Sequence, residues 1–126
     1  MNAVMDIERR LGYIPRDVSK DNCGYDIESF IPENLRGPDG YSLRCIEVKG
    51  KSIFHDDMVT ITRNEMLTAL NIPKQYILAI IVVDGGSTTA TYCQNMFSKD
   101  VEDAADSTNF NVAKLISQSD IVYDER

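Results

Sequence analysis

No stretch of this chain is long and apolar enough to span a bilayer. The longest uncharged apolar run, Tyr76 to Val83, is eight residues, against the roughly 20 that a spanning helix needs. The amino terminus mixes acidic and basic side chains where a secretory leader has a positive start and an apolar stretch. Cysteine is scarce: Cys23, Cys45 and Cys93 are odd in number and show none of the close paired spacings of zinc sites. Free thiols in a reducing, cytoplasmic setting are therefore expected. Basic residues are also short, 13 against 20 acidic, for a net charge of −7. That balance argues against a protein that grips nucleic acid unaided, because Lys and Arg neutralising phosphate supply most non-specific affinity. Internal repeats and low-complexity tracts are absent as well.

What is present is enough for one domain over residues 1–126, with 43% hydrophobic residues to build a core without disulfides. The acid is uneven: residues 1–75 carry ten basic and twelve acidic side chains, and residues 76–126 carry three and eight. Val4, Ile7 and Leu11 recur at helical spacing up to Gly12, a residue suited to a left-handed cap. Tyr25 to Ile31 and Tyr41 to Lys49 alternate as strands, and the turn-rich Pro32 to Gly40 connects them as a hairpin. Thr62-Arg63-Asn64-Glu65 matches a capping box, so a helix is predicted from there, with Met66, Leu67 and Leu70 inward and Asn71 and Pro73 as its stop. Tyr76 to Val83 has the Ile and Val content of a strand buried on both faces. Asp84-Gly85-Gly86 turns into a further strand, Thr88 to Gln94. Acidic Asp100 to Asp106 reads as a solvated loop or helix edge, and Val112 to Ile116 as a last short helix. The order predicts an α/β domain, a mixed sheet flanked by helices.

The chemistry-bearing pattern lies in the two strands of the hairpin. Side chains two apart on a strand share a face, so Glu47 and Lys49 project together and Ile46 and Val48 face the other way. Setting Asp26 opposite Glu47 puts the hairpin midpoint between Arg36 and Gly37, inside the predicted turn. Two carboxylates so placed repel one another unless a cation joins them, and hard oxygen ligands suit Mg²⁺ or Mn²⁺. Lys49 beside them would orient an attacking water and offset charge on a scissile phosphate. Alternating Glu and Lys on a surface strand is the competing reading, a solvated or edge-protecting face.

The strings Gly24-Tyr25-Asp26-Ile27-Glu28-Ser29, Arg44-Cys45-Ile46-Glu47-Val48-Lys49-Gly50 and Thr60-Ile61-Thr62-Arg63-Asn64-Glu65 resemble the NO VEIN C-terminal domain family. Glu8 to Tyr13 and Asp17 to Ser19 are similar to that family's opening, so the resemblance covers roughly residues 3–95. Domains of this kind also end prokaryotic Swi/Snf-type helicases and restriction-system proteins. The family in turn resembles the PD-(D/E)XK nuclease superfamily, which implies a restriction-endonuclease-like αβββαβ core, if a short strand lies near Arg16 to Ser19. It also implies that Asp26, Glu47 and Lys49 are catalytic, with Asp26 and Glu47 as metal ligands. Tyr25 stands where the superfamily's proline would be. Glu8, at the border of the buried helix face, corresponds to an acid that assists metal binding in resolvase-like relatives; a surface glutamate near Arg9 is the alternative.

Other residues carry weaker signals. The capping box explains Glu65 before any catalytic role does, and Asn64 and Arg63 are helix-start residues within reach of phosphate. His55, the single histidine, sits with Asp56 and Asp57 in a polar loop and reads as exposed. Cys45 reads as a small residue packed beside the site. Lys51, Lys49 and Arg44 would form a modest basic rim for the phosphate backbone, with scattered surface charge as the alternative. The resulting expectation is a Mg²⁺- or Mn²⁺-dependent nuclease-like domain acting on nucleic acid, DNA in the first place, with no membrane contact. A helicase or translocase fused to it or supplied as a partner would deliver substrate, and a homodimer is left open. A catalytically inactive module that binds nucleic acid or protein on the same fold is the alternative.

Overall fold

The computed structural model describes residues 1–53, 57–97 and 107–126. In chain order the elements are helix α1 (Asn2–Arg10), strands β1 (Ile14–Asp17), β2 (Ile27–Phe30), β3 (Leu43–Ser52) and β4 (Met58–Thr62), helix α2 (Arg63–Asn71), strands β5 (Tyr76–Asp84), β6 (Ser87–Gln94) and β7 (Ser107–Asn111), helix α3 (Val112–Ser117) and strand β8 (Asp120–Asp124). Six strands form one mixed sheet in the order β1-β2-β3-β5-β6-β8, while β4 and β7 form a separate antiparallel pair. Only β3 and β5 run parallel within the six-stranded sheet. A parallel pair needs a long crossover, and β4 with α2 supplies it.

Strand β5 separates two hydrophobic cores. Tyr76, Leu78 and Ile80 join Met66 and Ala69 of α2 and Val112 and Leu115 of α3 on one face. Ile77, Ala79 and Ile81 join Val4 and Ile7 of α1, with Ile27 and Ile46, on the other. Burial on both faces is what an uninterrupted apolar strand requires. The apolar fringe of the run differs, since Val83 is exposed at the strand's end.

Helix α1 ends as its spacing predicts, with Gly12 at φ 95. The capping box is formed in full: the Thr62 hydroxyl accepts from the Glu65 backbone at 3.2 Å, and the Glu65 carboxylate accepts from the Thr62 backbone at 2.9 Å. The inward face of α2 differs from expectation. Met66 and Ala69 are buried, whereas Leu67 is exposed, because β5 meets the helix along an i, i+3 row. Strands β4, β7 and β8 were not expected from the sequence. His55 and the segment Asp100 to Asp106 lie outside the described residues. Cys23, Cys45 and Cys93 are all free thiols. Among the described residues no helix is long and apolar enough to cross a membrane.

Candidate active site

The β2–β3 register fixes the first carboxylate against the second. Ile27 pairs with Ile46 and Glu28 with Cys45, so continuing the ladder one step places Asp26 opposite Glu47. Two backbone bonds and one side-chain bond hold Asp26 there. Its amide donates to Ile46 O at 2.9 Å, and its carbonyl accepts from Val18 N at 2.8 Å. Its side-chain Oδ2 accepts from Val48 N at 2.9 Å. The loop that delivers Asp26 depends on Gly24, whose φ of 89 favours glycine and whose hypothetical Cβ would lie 2.3 Å from Thr68 Oγ1. The loop thereby rests directly on α2, and Tyr76 Oη donates to Gly24 O at 3.3 Å beneath it.

Glu47 is 4% exposed and Lys49 follows it on the same face of β3. A third carboxylate joins them from the start of α2. Lys49 Nζ lies 2.9 Å from Glu65 Oε1 and 3.3 Å from Oε2, so Glu65 caps its helix and pairs with the lysine at once. Burial, followed by hydrogen bonding to the Glu65 and Asp26 carboxylates, pushes the Glu47 carboxyl up to about 10. Burial acts to raise Glu65 too, but its hydrogen bonds with Glu47, the Thr62 backbone and Lys49 outweigh that, and its pKa falls below the ordinary value. The raised Glu47 carboxyl therefore carries its proton at neutral pH. Glu47 Oε2 is buried without a hydrogen-bond partner, a costly state for an oxygen that accepts readily.

Asp26, Glu47 and Glu65 open into a cleft of about 200 Å³ rimmed by Ser19, Asn22 and Asn64. Lys49 is not part of the cleft lining and reaches it through Glu65. Among the described residues no three His, Cys, Asp or Glu side chains converge as a ready metal cage. Asp26 and Glu47 are two acids with hard oxygen donors, a number that suits a cation taking its other ligands from water and phosphate.

The structure brings Asp26, Glu47 and Lys49 to one face and adds Glu65. It does not bring Glu8 there. Helix α1 packs against the face bearing Ile46 and Val48, opposite Glu47, and Glu8 is fully buried in that layer. Its carboxylate accepts from Arg44 Nε at 2.8 Å, Arg44 Nη2 at 3.3 Å and Tyr92 Oη at 3.1 Å, while Arg44 lies 4.3 Å over the Tyr13 ring. This acid is neutralised internally, which corrects its expected place among the metal ligands. The expected basic rim is corrected for the same reason: Arg44 serves Glu8, Lys49 serves Glu65, and Lys51 Nζ lies 2.7 Å from Asp57 Oδ1. Cys45 is buried beside Glu47 and burial raises its thiol, as inert packing implies. The residue that sequence reasoning undervalued is Glu65. Its signal was its place in the first turn of a helix leading into the central strand, which aims it back at the sheet.

With this geometry in view, the model of the family described as Protein NO VEIN, C-terminal, matches residues 1–93, a span holding α1 through most of β6 and every member of the cluster. A comparison with curated proteins gave no match.

Proposed function

We propose, for a chain that belongs to the NO VEIN C-terminal domain family, that the cleft hydrolyses phosphodiester bonds with the help of a divalent cation. The observation that carries this reading is the contact of two carboxyls, Asp26 and Glu47, in an accessible cleft with an ammonium two residues along the same strand. Such a set is unfavourable as a purely structural device, because burying acids against each other costs free energy that only a proton or a cation offsets. The unpartnered Glu47 Oε2 fits a position awaiting a cation.

Asp26 and Glu47 would hold Mg²⁺ or Mn²⁺. When bound, the cation supplies Lewis-acid polarisation of the phosphodiester. The protein's own part is positioning and charge, which is most of what phosphoryl chemistry asks. Asp26 is fixed by its bond from Val48 N, Glu47 by the rigid centre of the sheet, and Lys49 offsets charge as it builds on the phosphate. Glu65 holds Lys49 in place beforehand. The element order α1-β1-β2-β3-α2-β5, with β5 parallel to β3, supports a restriction-endonuclease-like core into which β4 is inserted. DNA is the proposed substrate. With a net charge of −7 the domain needs a helicase or translocase, fused or partnered, to deliver it.

Millimolar Mg²⁺ or Mn²⁺ should raise the melting temperature, since a ligand specific to the native state stabilises it by mass action. At ten times the Kd the gain is about 1.4 kcal/mol, or about 5 °C for a domain of this size. Asp26→Asn keeps an oxygen that accepts from Val48 N and should lose that gain. Equal shifts in both proteins would mean that the cation acts elsewhere.

A second reading, a catalytically silent binding module, is favoured by the pairing of Lys49 with Glu65, which leaves no unengaged lysine at the cleft among the described residues. Cleavage of DNA by the wild type, abolished in Asp26→Asn, would exclude it.

A further inference from the structure

An open cavity of about 530 Å³ lies beside the cleft along the outer face of α2. Its volume falls within the roughly 300–1,000 Å³ range of small-molecule sites. The two spaces share Asn64 and are otherwise separated by the Cys23–Gly24 step of the loop that carries Asp26. The cavity lining is Cys23, Asn64, Leu67, Thr68, Leu70 and Asn71, with no carboxylate, ammonium or guanidinium among them. Thr68 Oγ1 is spent on Asn64 O at 2.7 Å. The side-chain amides of Asn64 and Asn71 are exposed and stand almost two helical turns apart. Between them Leu67 is 37% exposed, off the inward row of Met66 and Ala69.

This lining is unsuited to phosphate, which calls for positive charge, and suited to a nucleobase. A primary amide presents a donor and an acceptor side by side, the pattern that reads base edges, and an apolar side chain between two amides gives an extruded base a surface to pack on. We infer that the cavity is a base pocket, taking the unpaired nucleobase next to the phosphodiester held at Asp26 and Glu47. The inference rests on the proposed hydrolytic reading for its substrate and adds the class of substrate conformer. A base can enter only when unstacked, so the preferred strand is single-stranded or locally splayed. Leu67 and Leu70 form its floor, and Asn64 and Asn71 its polar contacts.

The test uses the full chain, without divalent cation, so that it is independent of cleavage. Side-chain amide and methyl resonances would be followed while cytidine 5′-monophosphate or adenosine 5′-monophosphate is titrated to tens of millimolar, with ribose 5-phosphate as the probe lacking a base. The expected result is saturable shifts of the Asn64, Asn71 and Leu67 signals with a nucleotide only, weakened at least fivefold by Leu67→Ala and by Asn71→Ala. Equal shifts from ribose 5-phosphate, shifts confined to other surfaces, or no saturable change would overturn the base pocket. Both variants alter exposed positions, and an unchanged melting temperature checks that they fold. Base binding without any cleavage would support the pocket while counting against the hydrolytic reading, so the two fail separately.

Discussion

Lys49→Ala should reduce phosphodiester cleavage by about 100-fold or more while leaving cation binding in place. Removing one preorganised group that stabilises charge in a transition state typically costs about 10²–10³ in rate, and Lys49 is the ammonium that pairs with Glu65 of the cluster. Its loss would leave Glu65 with the Thr62 backbone bond but without its ammonium partner, a stability cost of about 1–3 kcal/mol, in the range of a hydrogen bond to a charged group. The cluster would also be more negative by one charge, so the melting-temperature gain from Mg²⁺ should persist or grow. That combination separates a role in the reaction from one in folding. Single-turnover cleavage of single-stranded DNA, with Mg²⁺-dependent melting on the same samples, measures both halves. Undiminished cleavage would remove the lysine from the mechanism and weaken the nuclease-like assignment of the fold.

The part of this site that was legible in the sequence is the part set by strand geometry. Alternation on β3 put Glu47 and Lys49 on one face whatever the rest of the chain did, and the turn-rich Pro32 to Gly40 fixed which residue of β2 would sit opposite. The observed pairing of Ile27 with Ile46 is that register. The capping box was legible because it is wholly local, four residues satisfying each other's backbone groups. What stayed hidden depends on which side of the sheet each helix packs. Periodicity marks Val4 and Ile7 as inward but is silent on whether α1 shares a face with Glu47, and the sheet needs a helix on both faces. Glu8 was therefore assigned to the wrong layer. Glu65 was hidden for a related reason, since a first-turn glutamate satisfies its cap equally well in solvent and over a cluster. Strand β4 offers only a short alternation, Val59 and Ile61 buried between exposed Met58, Thr60 and Thr62, and β8 is an acidic edge with Ile121 and Val122 both exposed. Both lack the two-sided apolar signature that made β5 plain.

The four side chains of the cluster act as one electrostatic unit, and its protonation gives the second large effect. In the folded chain Glu47 holds its proton up to about 10, against an ordinary value of 4.5. Between those limits the native state binds a proton that the unfolded chain has released. Stability contributed by the proton is thus fully present below pH 4.5 and is lost as pH rises toward 10, with a limiting slope of about 1.4 kcal/mol per pH unit. Glu65 works in the opposite sense: its lowered pKa contributes stability above its ordinary 4.5 that is lost on acidification, below the window in question. Glu47→Gln mimics the protonated acid at every pH and can still donate toward Glu65 and Asp26. Without divalent cations the variant should match the wild type near pH 5, then exceed it by a gap that widens toward pH 8 and reaches several kcal/mol at the limiting slope. Millimolar Mg²⁺ should close that gap from the wild-type side, because a cation held by Asp26 and Glu47 replaces the proton, and the closing should be greater at pH 8 than at pH 5.5. Urea denaturation of both proteins at half-unit pH steps, in chelator and in Mg²⁺, provides the comparison. Parallel stability profiles in chelator would mean that Glu47 ionises normally, and with that the argument that its burial against Asp26 awaits a cation would fall.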